Sequence, residues 1–333
     1  MKTTSRLASL AAVVALVCGI LFVAAIDAQA RELRISHQFS EADARHKLAM
    51  EFAEKVEKAT GGALTFKVFP SQALFKSVAQ YDAMSKGALD FSVYPLAYAS
   101  GKIPELDITL MPCIIDSVEE GMAWRNKEIG KRIEAITEAK GMKIITWLWY
   151  AGGIGSKGKA VKVPEDVKGL KFRAAGKLFE YMLNEAGASI TSMASSEIYM
   201  ALQTGVLNAA LTSAESFVSY RLYEQVEYFN APTDYSIWYM AEPIVMSVKT
   251  WKSLSDTERA AVEKVGLELE PRALEIAKEA NGIATKTFSD AGVNVYAMTK
   301  DDWRQWKDLA QKTSWKKFAE SVKGGQELLD LAK

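Results

Sequence analysis

Val163-Pro164-Glu165-Asp166-Val167-Lys168-Gly169-Leu170-Lys171-Phe172-Arg173, continued by Ala174-Ala175-Gly176, is the stretch on which the fold turns. Residues 170–173 read as a short strand, and residues 177–186 as a helix closed by Gly187. The strand ends on an arginine, and the small residues after it leave room in front of the side chain. In open α/β sheets ligands gather beyond the carboxyl ends of strands. A guanidinium holds a planar carboxylate with two parallel hydrogen bonds. The residues alone leave Arg173 open between a surface ion-pair residue and an anion clamp.

The same alternation extends in both directions. Upstream, residues 31–37 form a strand, with Leu33 and Ile35 set against Arg34 and Ser36. A helix follows, carrying Leu48, Phe52, Val56 and Ala59 on one side and stopped by Gly61-Gly62. Residues 64–69 are a strand ending at Pro70, 78–86 a helix ending at Gly87, and 89–93 an apolar strand. Residues 119–139 read as one helix and 143–150 as one strand, followed by a glycine-rich turn over 152–158. Downstream come a helix over 197–204, a strand over 206–211, and an apolar segment over 235–248 that crosses back as a strand. Residues 255–290 form a long helical pattern that Pro271 should kink or break. The fold class is therefore α/β: two lobes with mixed sheets around a ligand cleft, hinge crossings, and one long helix spanning both. The expected division is residues 31–150 plus about 240–275 for the first lobe, and 151–239 plus about 276–333 for the second.

The first 30 residues have the order of a secretory signal peptide: Lys2 and Arg6, then an uncharged run, then Ala28-Gln29-Ala30. Cleavage is expected after Ala30, which places the mature chain in the periplasm. Its removal changes 41 basic and 41 acidic residues to 39 and 40, so no basic face points to nucleic acid. Only Cys113 then remains, so no internal disulfide is possible and stability must come from packing.

Gly153-Ile154-Gly155-Ser156-Lys157-Gly158 matches a dinucleotide-binding pattern, but no helix opens after it and Arg173 stands where an acidic residue is needed. The two histidines, His37 and His46, have no Cys, Asp or Glu at metal-ligand spacing, and His46 falls on a helix surface. The inventory for an enzyme is poor, and no cofactor is expected. Aromatic residues near the expected crossings, Trp149 and Trp238, together with Tyr94 and Gln38 near the ends of early strands, are candidates to line a small-molecule site.

With these residues in view the chain resembles the DctP-like substrate-binding subunits of tripartite ATP-independent periplasmic (TRAP) transporters. The resemblance rests on Lys58-Ala59-Thr60-Gly61-Gly62 with Val68-Phe69-Pro70, on Gly87-Ala88-Leu89-Asp90, on the block from Val163 to Arg173, and on Glu197 to Val206. It implies closure around an organic acid, Arg173 pairing with the ligand carboxylate, and small and large membrane subunits as partners. Where the family commonly has an acidic residue and an asparagine, this chain has Leu211-Thr212-Ser213, so the hydroxyls of Thr212 and Ser213 are expected to replace an amide. Members that bridge their ligand through a metal use a carboxylate there and a glutamine near the first crossing. Leu211-Thr212 and Gly152-Gly153 stand at those places, so no metal is expected. The resemblance and its departures together imply a monocarboxylate with an apolar or aromatic body. A secreted α/β enzyme or a ligand-presenting sensor subunit using the same cleft are the alternatives.

Overall fold

The computed structural model describes residues 30–333, so the expected signal peptide, apart from Ala30, lies outside the described residues. The strands are β1 (Arg31–Ser36), β2 (Leu64–Phe69), β3 (Phe91–Val93), β4 (Met142–Thr146), β5 (Trp149–Ser156), β6 (Lys171–Arg173), β7 (Ser189–Ile190), β8 (Ala209–Ser213), β9 (Tyr228–Ala231), β10 (Trp238–Ala241), β11 (Ile244–Ser247) and β12 (Asn294–Ala297). They form two mixed sheets. The first runs β2-β1-β3-β11-β4, and the second β12-β9-β5-β8-β6-β7, with β10 paired to β5. β1 is parallel to β2 and β3, as a strand–helix–strand alternation requires, while β11 returns antiparallel between β3 and β4.

The chain passes from the first sheet to the second at Trp147-Leu148 and returns at Glu242-Pro243. Residues 143–150 are therefore not one strand. The break is held by two hydrogen bonds: Trp147 N–H donates to Glu270 Oε1 (3.0 Å) and Glu242 N–H to Leu148 O (2.8 Å). Glycines 152, 153 and 155 do not form a turn either. They lie within β5, buried along its whole length. A Cβ at Gly152 would stand 2.3 Å from Thr212 O and 2.5 Å from the Trp238 ring, and one at Gly153 2.3 Å from Asn230 O. These glycines let neighbouring backbone and rings approach closely.

Residues 119–139 also divide. Helix Val118–Ala123 is followed by a tight turn at Trp124–Asn126 and a second helix, Glu128–Ala139. The turn folds back until Trp124 O touches Gly130, where a Cβ would stand 1.9 Å away. The strand expected over 206–211 is β8, shifted to end on Thr212 and Ser213.

The long helical pattern breaks beside its proline. Asp256–Glu268 ends at Leu269, and Glu270–Asp290 starts with Pro271 in its first turn, where a missing N–H is tolerated. Ser255 opens the first part with a reciprocal cap, Glu258 N–H to Ser255 Oγ (3.3 Å) and Ser255 N–H to Glu258 Oε2 (2.7 Å). The first part packs on Ala44–Ala59 and β4, the second on Ala214–Ser219 and β5, so the bent helix spans both layers. At the break, Glu270 also pairs with Arg125 at 2.6 Å. The last helix, Gly325–Ala332, falls in the second lobe by the sequence division; it packs instead on Glu128–Ala139, beside the first sheet.

Gly130→Ala should push Trp124 O outward and cost about 1–3 kcal/mol. Gly282→Ala, in the long helix with nothing near its would-be Cβ, should be neutral or stabilising. Thermal unfolding of the two variants compares them, and an unchanged melting temperature for Gly130→Ala refutes the close approach.

Candidate functional site

Between the two layers lies an open cleft of about 450 Å³, lined from one side by Val78, Ala97 and Tyr98 and from the other by Ala174, Ala175, Gly176 and Met193. Arg173 stands just behind its inner wall, at the carboxyl end of β6, fully buried. Its Nε donates to Met193 O (3.1 Å), its Nη1 to Leu211 O (2.8 Å) and its Nη2 to Tyr98 Oη (3.1 Å). All three acceptors are neutral. A guanidinium has five N–H donors, so one remains on each terminal nitrogen. Two donors on the terminal nitrogens are what a carboxylate can grip with its two oxygens.

Arg45 supplies the contrast, and sequence reasoning missed it. It too is fully buried, but all five of its donors are engaged. Nε and Nη2 meet the two oxygens of Asp43 at 2.8 and 2.7 Å. Nη1 meets Glu242 Oε2 at 2.6 Å and Ser213 Oγ at 3.2 Å, and Nη2 also meets Ser216 Oγ at 2.9 Å. The Phe39 ring lies 3.6 Å from the guanidinium carbon. Burial works to raise the Asp43 carboxyl, but the adjoining Arg45 charge outweighs it and holds the group below its ordinary range. For Glu242 burial wins over Arg45, and its carboxyl is raised. Glu215, which accepts from Ala44 N–H at 2.7 Å, is likewise raised by burial. Asp43 caps Ala44–Ala59, a local pattern visible in sequence. Ser216 and Glu242, which share Arg45 with it, lie more than 170 residues away, and no local signal joins them.

The other candidates separate. Gln38 and Tyr94 lie two residues past Ser36 and Ser92, the last positions at which β1 and β3 pair with each other, both buried. Gln38 Oε1 and Nε2 and the Tyr94 hydroxyl have no hydrogen-bond partner. Tyr94 stands edge-on to Tyr98 with ring centroids 6.4 Å apart, which brings it near Arg173. Thr212 is buried next to Leu211, whose carbonyl Arg173 uses. Ser213 is not free for a ligand, because its hydroxyl caps Ala214–Ser219 and accepts from Arg45. Trp149 and Trp238 do not face one another. Trp238 pairs in register with Gly152, three positions from Trp149, so the period of two sends them to opposite faces. Trp149 instead packs with Trp124 and Trp147, at centroid distances of 5.0 and 6.4 Å. His46 is not a plain surface residue: its Nδ1 lies 3.2 Å from His37 Nε2. Burial, reinforced by His46, holds His37 down to about 4.

The arrangement leaves two guanidinium N–H donors unclaimed, and Cys113 offers no reactive nucleophile. Cys113 is buried and its thiol is pushed up by burial. Among the described residues no three His, Cys, Asp or Glu side chains are grouped to hold a metal ion, and no helix is long and apolar enough to cross a membrane. Two mixed-sheet lobes, joined by strand crossings and a bent helix and meeting at an unpaired buried arginine, define a solute receptor of the periplasmic-binding type.

Residues 35–321 match the model of bacterial extracellular solute-binding protein family 7, DctP, and the chain belongs to that family. It is similar to a solute-binding protein of Albidiferax ferrireducens, 39% identical over 310 residues and covering 92% of both chains. It is also similar to the C4-dicarboxylate-binding periplasmic protein DctP of Rhodobacter capsulatus, 27% identical over 280 residues, 83% of each. Among solved structures, a TRAP periplasmic solute-binding protein from Rhodoferax ferrireducens with bound malonate superposes with a TM-score of 0.88 at 39% identity, covering 90% of this chain and 96% of that one. DctP7 of Bordetella pertussis, at 22% identity, superposes with a TM-score of 0.83, covering 91% of this chain and 99% of that one, and shares the fold. The family consists of extracytoplasmic receptors of transporters, not enzymes, and its members bind small organic acids.

Two measurements probe the buried charges. Arg45→Met strands Asp43 and Glu242 without their cation and should lower unfolding stability by about 3–5 kcal/mol; a change below about 1 kcal/mol in denaturant titration refutes the network. His37 stays neutral in the folded chain down to about 4, whereas unfolded it takes up a proton below its usual 6.5. The unfolded state then binds more protons, so this contribution is complete above pH 6.5 and falls by at most about 3 kcal/mol as pH drops toward 4. Buried carboxyls such as Asp107, raised to about 6 by burial, act in the opposite sense. The test is therefore the difference between His37→Phe and the unaltered protein over this range: the variant should lose less stability on acidification, and parallel curves refute the reading.

Proposed function

We propose that this chain is the periplasmic capture subunit of a tripartite ATP-independent transporter, binding a small monocarboxylate by lobe closure and delivering it to the small and large membrane subunits. One observation carries the reading: Arg173 is fully buried, with an unclaimed N–H on each terminal nitrogen and neutral acceptors on its other three contacts. A guanidinium removed from water without an anion is strongly unfavourable, so the site calls for a carboxylate. One free edge supports one carboxylate, and the rings of Tyr94 and Tyr98 beside it supply an apolar flank. Gln72 Nε2 donates to Ser196 Oγ at 2.9 Å, joining the two sides of the cleft and supporting an enclosed ligand. The malonate held by the 39%-identical relative favours a short dicarboxylate as the second reading.

A thermal-shift panel of small carboxylic acids tests this. A ligand of the folded state raises the melting temperature by mass action. Arg173→Ala should weaken binding by about 2–5 kcal/mol, thirtyfold or more, and abolish the shift. A validated ligand that binds Arg173→Ala as tightly as the unaltered protein overturns the clamp.

A further inference from the structure

Past the carboxyl ends of β1 and β3, on the side of Tyr98 and Arg173, several uncharged buried polar groups lack a partner. Gln38, 2% exposed, leaves both its carboxamide oxygen and its carboxamide nitrogen unmatched. Tyr94, 0% exposed, leaves its hydroxyl unmatched, and so does Ser36. These three belong together. Ser36 pairs in register with Ser92, and Gln38 and Tyr94 each follow two residues later at the carboxyl ends of parallel β1 and β3. The backbone of Gln38 is fixed from the opposite side, where Tyr220 Oη donates to Gln38 O at 3.1 Å. Tyr94 reaches Arg173 through Tyr98, edge-on to the first and hydrogen-bonded to the second.

Buried polar groups in native proteins find partners, and a cluster of buried groups left without any marks the place of a missing one. A carboxamide needs both a donor and an acceptor, and tyrosine can serve as either. A methyl or methylene group cannot satisfy them. A second carboxylate is unsuitable as well, since it accepts but does not donate. The other buried guanidinium, Arg45, is already held by Asp43 and Glu242 and cannot neutralise a further anion. Glu215 and Glu242 add buried carboxyls to the same interior.

Resting on the carboxylate reading above, we infer that the ligand is a monocarboxylate whose other end is an uncharged donor–acceptor group of the carboxamide type, read by Gln38 and Tyr94. Arg173 selects the acid, and the carboxamide and phenol select against both the dicarboxylate and the purely alkyl acid.

Three acids of nearly equal size separate these cases: succinamate, succinate and 4-methylpentanoate, titrated by calorimetry. Succinamate should bind at least about tenfold more tightly than either of the others. Gln38→Leu should weaken succinamate by about ten- to a hundredfold and leave 4-methylpentanoate unchanged or tighter. Tyr94→Phe, which keeps the ring and its packing, should weaken succinamate about tenfold. Succinate or 4-methylpentanoate binding as tightly as succinamate, no binding of succinamate, or a succinamate preference that survives both substitutions overturns the inference. Acids that bind without amide preference but are lost in Arg173→Ala sink this inference alone. Binding that ignores Arg173→Ala sinks the carboxylate reading.

Discussion

A guanidinium taken out of water needs negative charge nearby, and two of them are buried between the lobes of this molecule. Arg45 is given its charge by the chain itself, from the helix cap at Asp43 and from the return crossing at Glu242. Arg173 is given hydrogen bonds to neutral groups and no ion pair, with Glu242 acting on it only from beyond contact. The same residue type thus does two jobs, set by surroundings. One arginine joins elements drawn from three distant parts of the chain, and the other is oriented and left open. Fixing Nε on Met193 O leaves the terminal edge free, so the backbone of the second lobe decides which side of the guanidinium a ligand meets.

The crossings obey a related constraint. A strand leaving one sheet for another exposes backbone donors that a continuous ladder would have used. At the first crossing Glu270 takes the Trp147 N–H, and the same carboxylate holds Arg125. Glu270 stands where the long helix restarts after Leu269. The helix break and the sheet crossing therefore share one side chain, and the two layers are coupled where the chain passes between them.

Much of this architecture was legible in the sequence, because it rests on local chemistry. The strand ending at Arg173, the helix after it, the cap at Ser255 and the restart at Pro271 each follow from residues within one or two turns. The errors share a cause. Glycines 152, 153 and 155 looked like a flexible turn, yet they are absent side chains in a crowded strand, and the crowding comes from Thr212, Asn230 and Trp238. Residues 143–150 looked like one strand because apolar residues continue across the crossing. Trp149 and Trp238 looked like two walls of one pocket until the register put them on opposite faces. The Arg45 network was invisible for the same reason: its partners meet only in the folded chain.

The position of Tyr98 links charge to motion. Its hydroxyl, from the first-lobe side, accepts from Arg173 Nη2 and from Ser195 N–H on the second. Bringing the lobes together therefore replaces water around Arg173, already held by the Met193 and Leu211 carbonyls of its own lobe, with the Tyr98 phenol. In an empty closed state the cation has lost its hydration without an ion pair of its own, since nearby Glu242 is already bound to Arg45, which works against closure. A carboxylate on the free edge removes that penalty only when the lobes are shut, because only then are both its charge and the guanidinium screened from water. A ligand can shift such an equilibrium by no more than its difference in affinity for the two states. Here the difference is electrostatic in origin. On the proposed reading, an uncharged solute of the same shape could fill the cleft and would leave the buried cation without an ion pair, so the acid group does more than add affinity: it is the part of the ligand that stabilises the closed receptor.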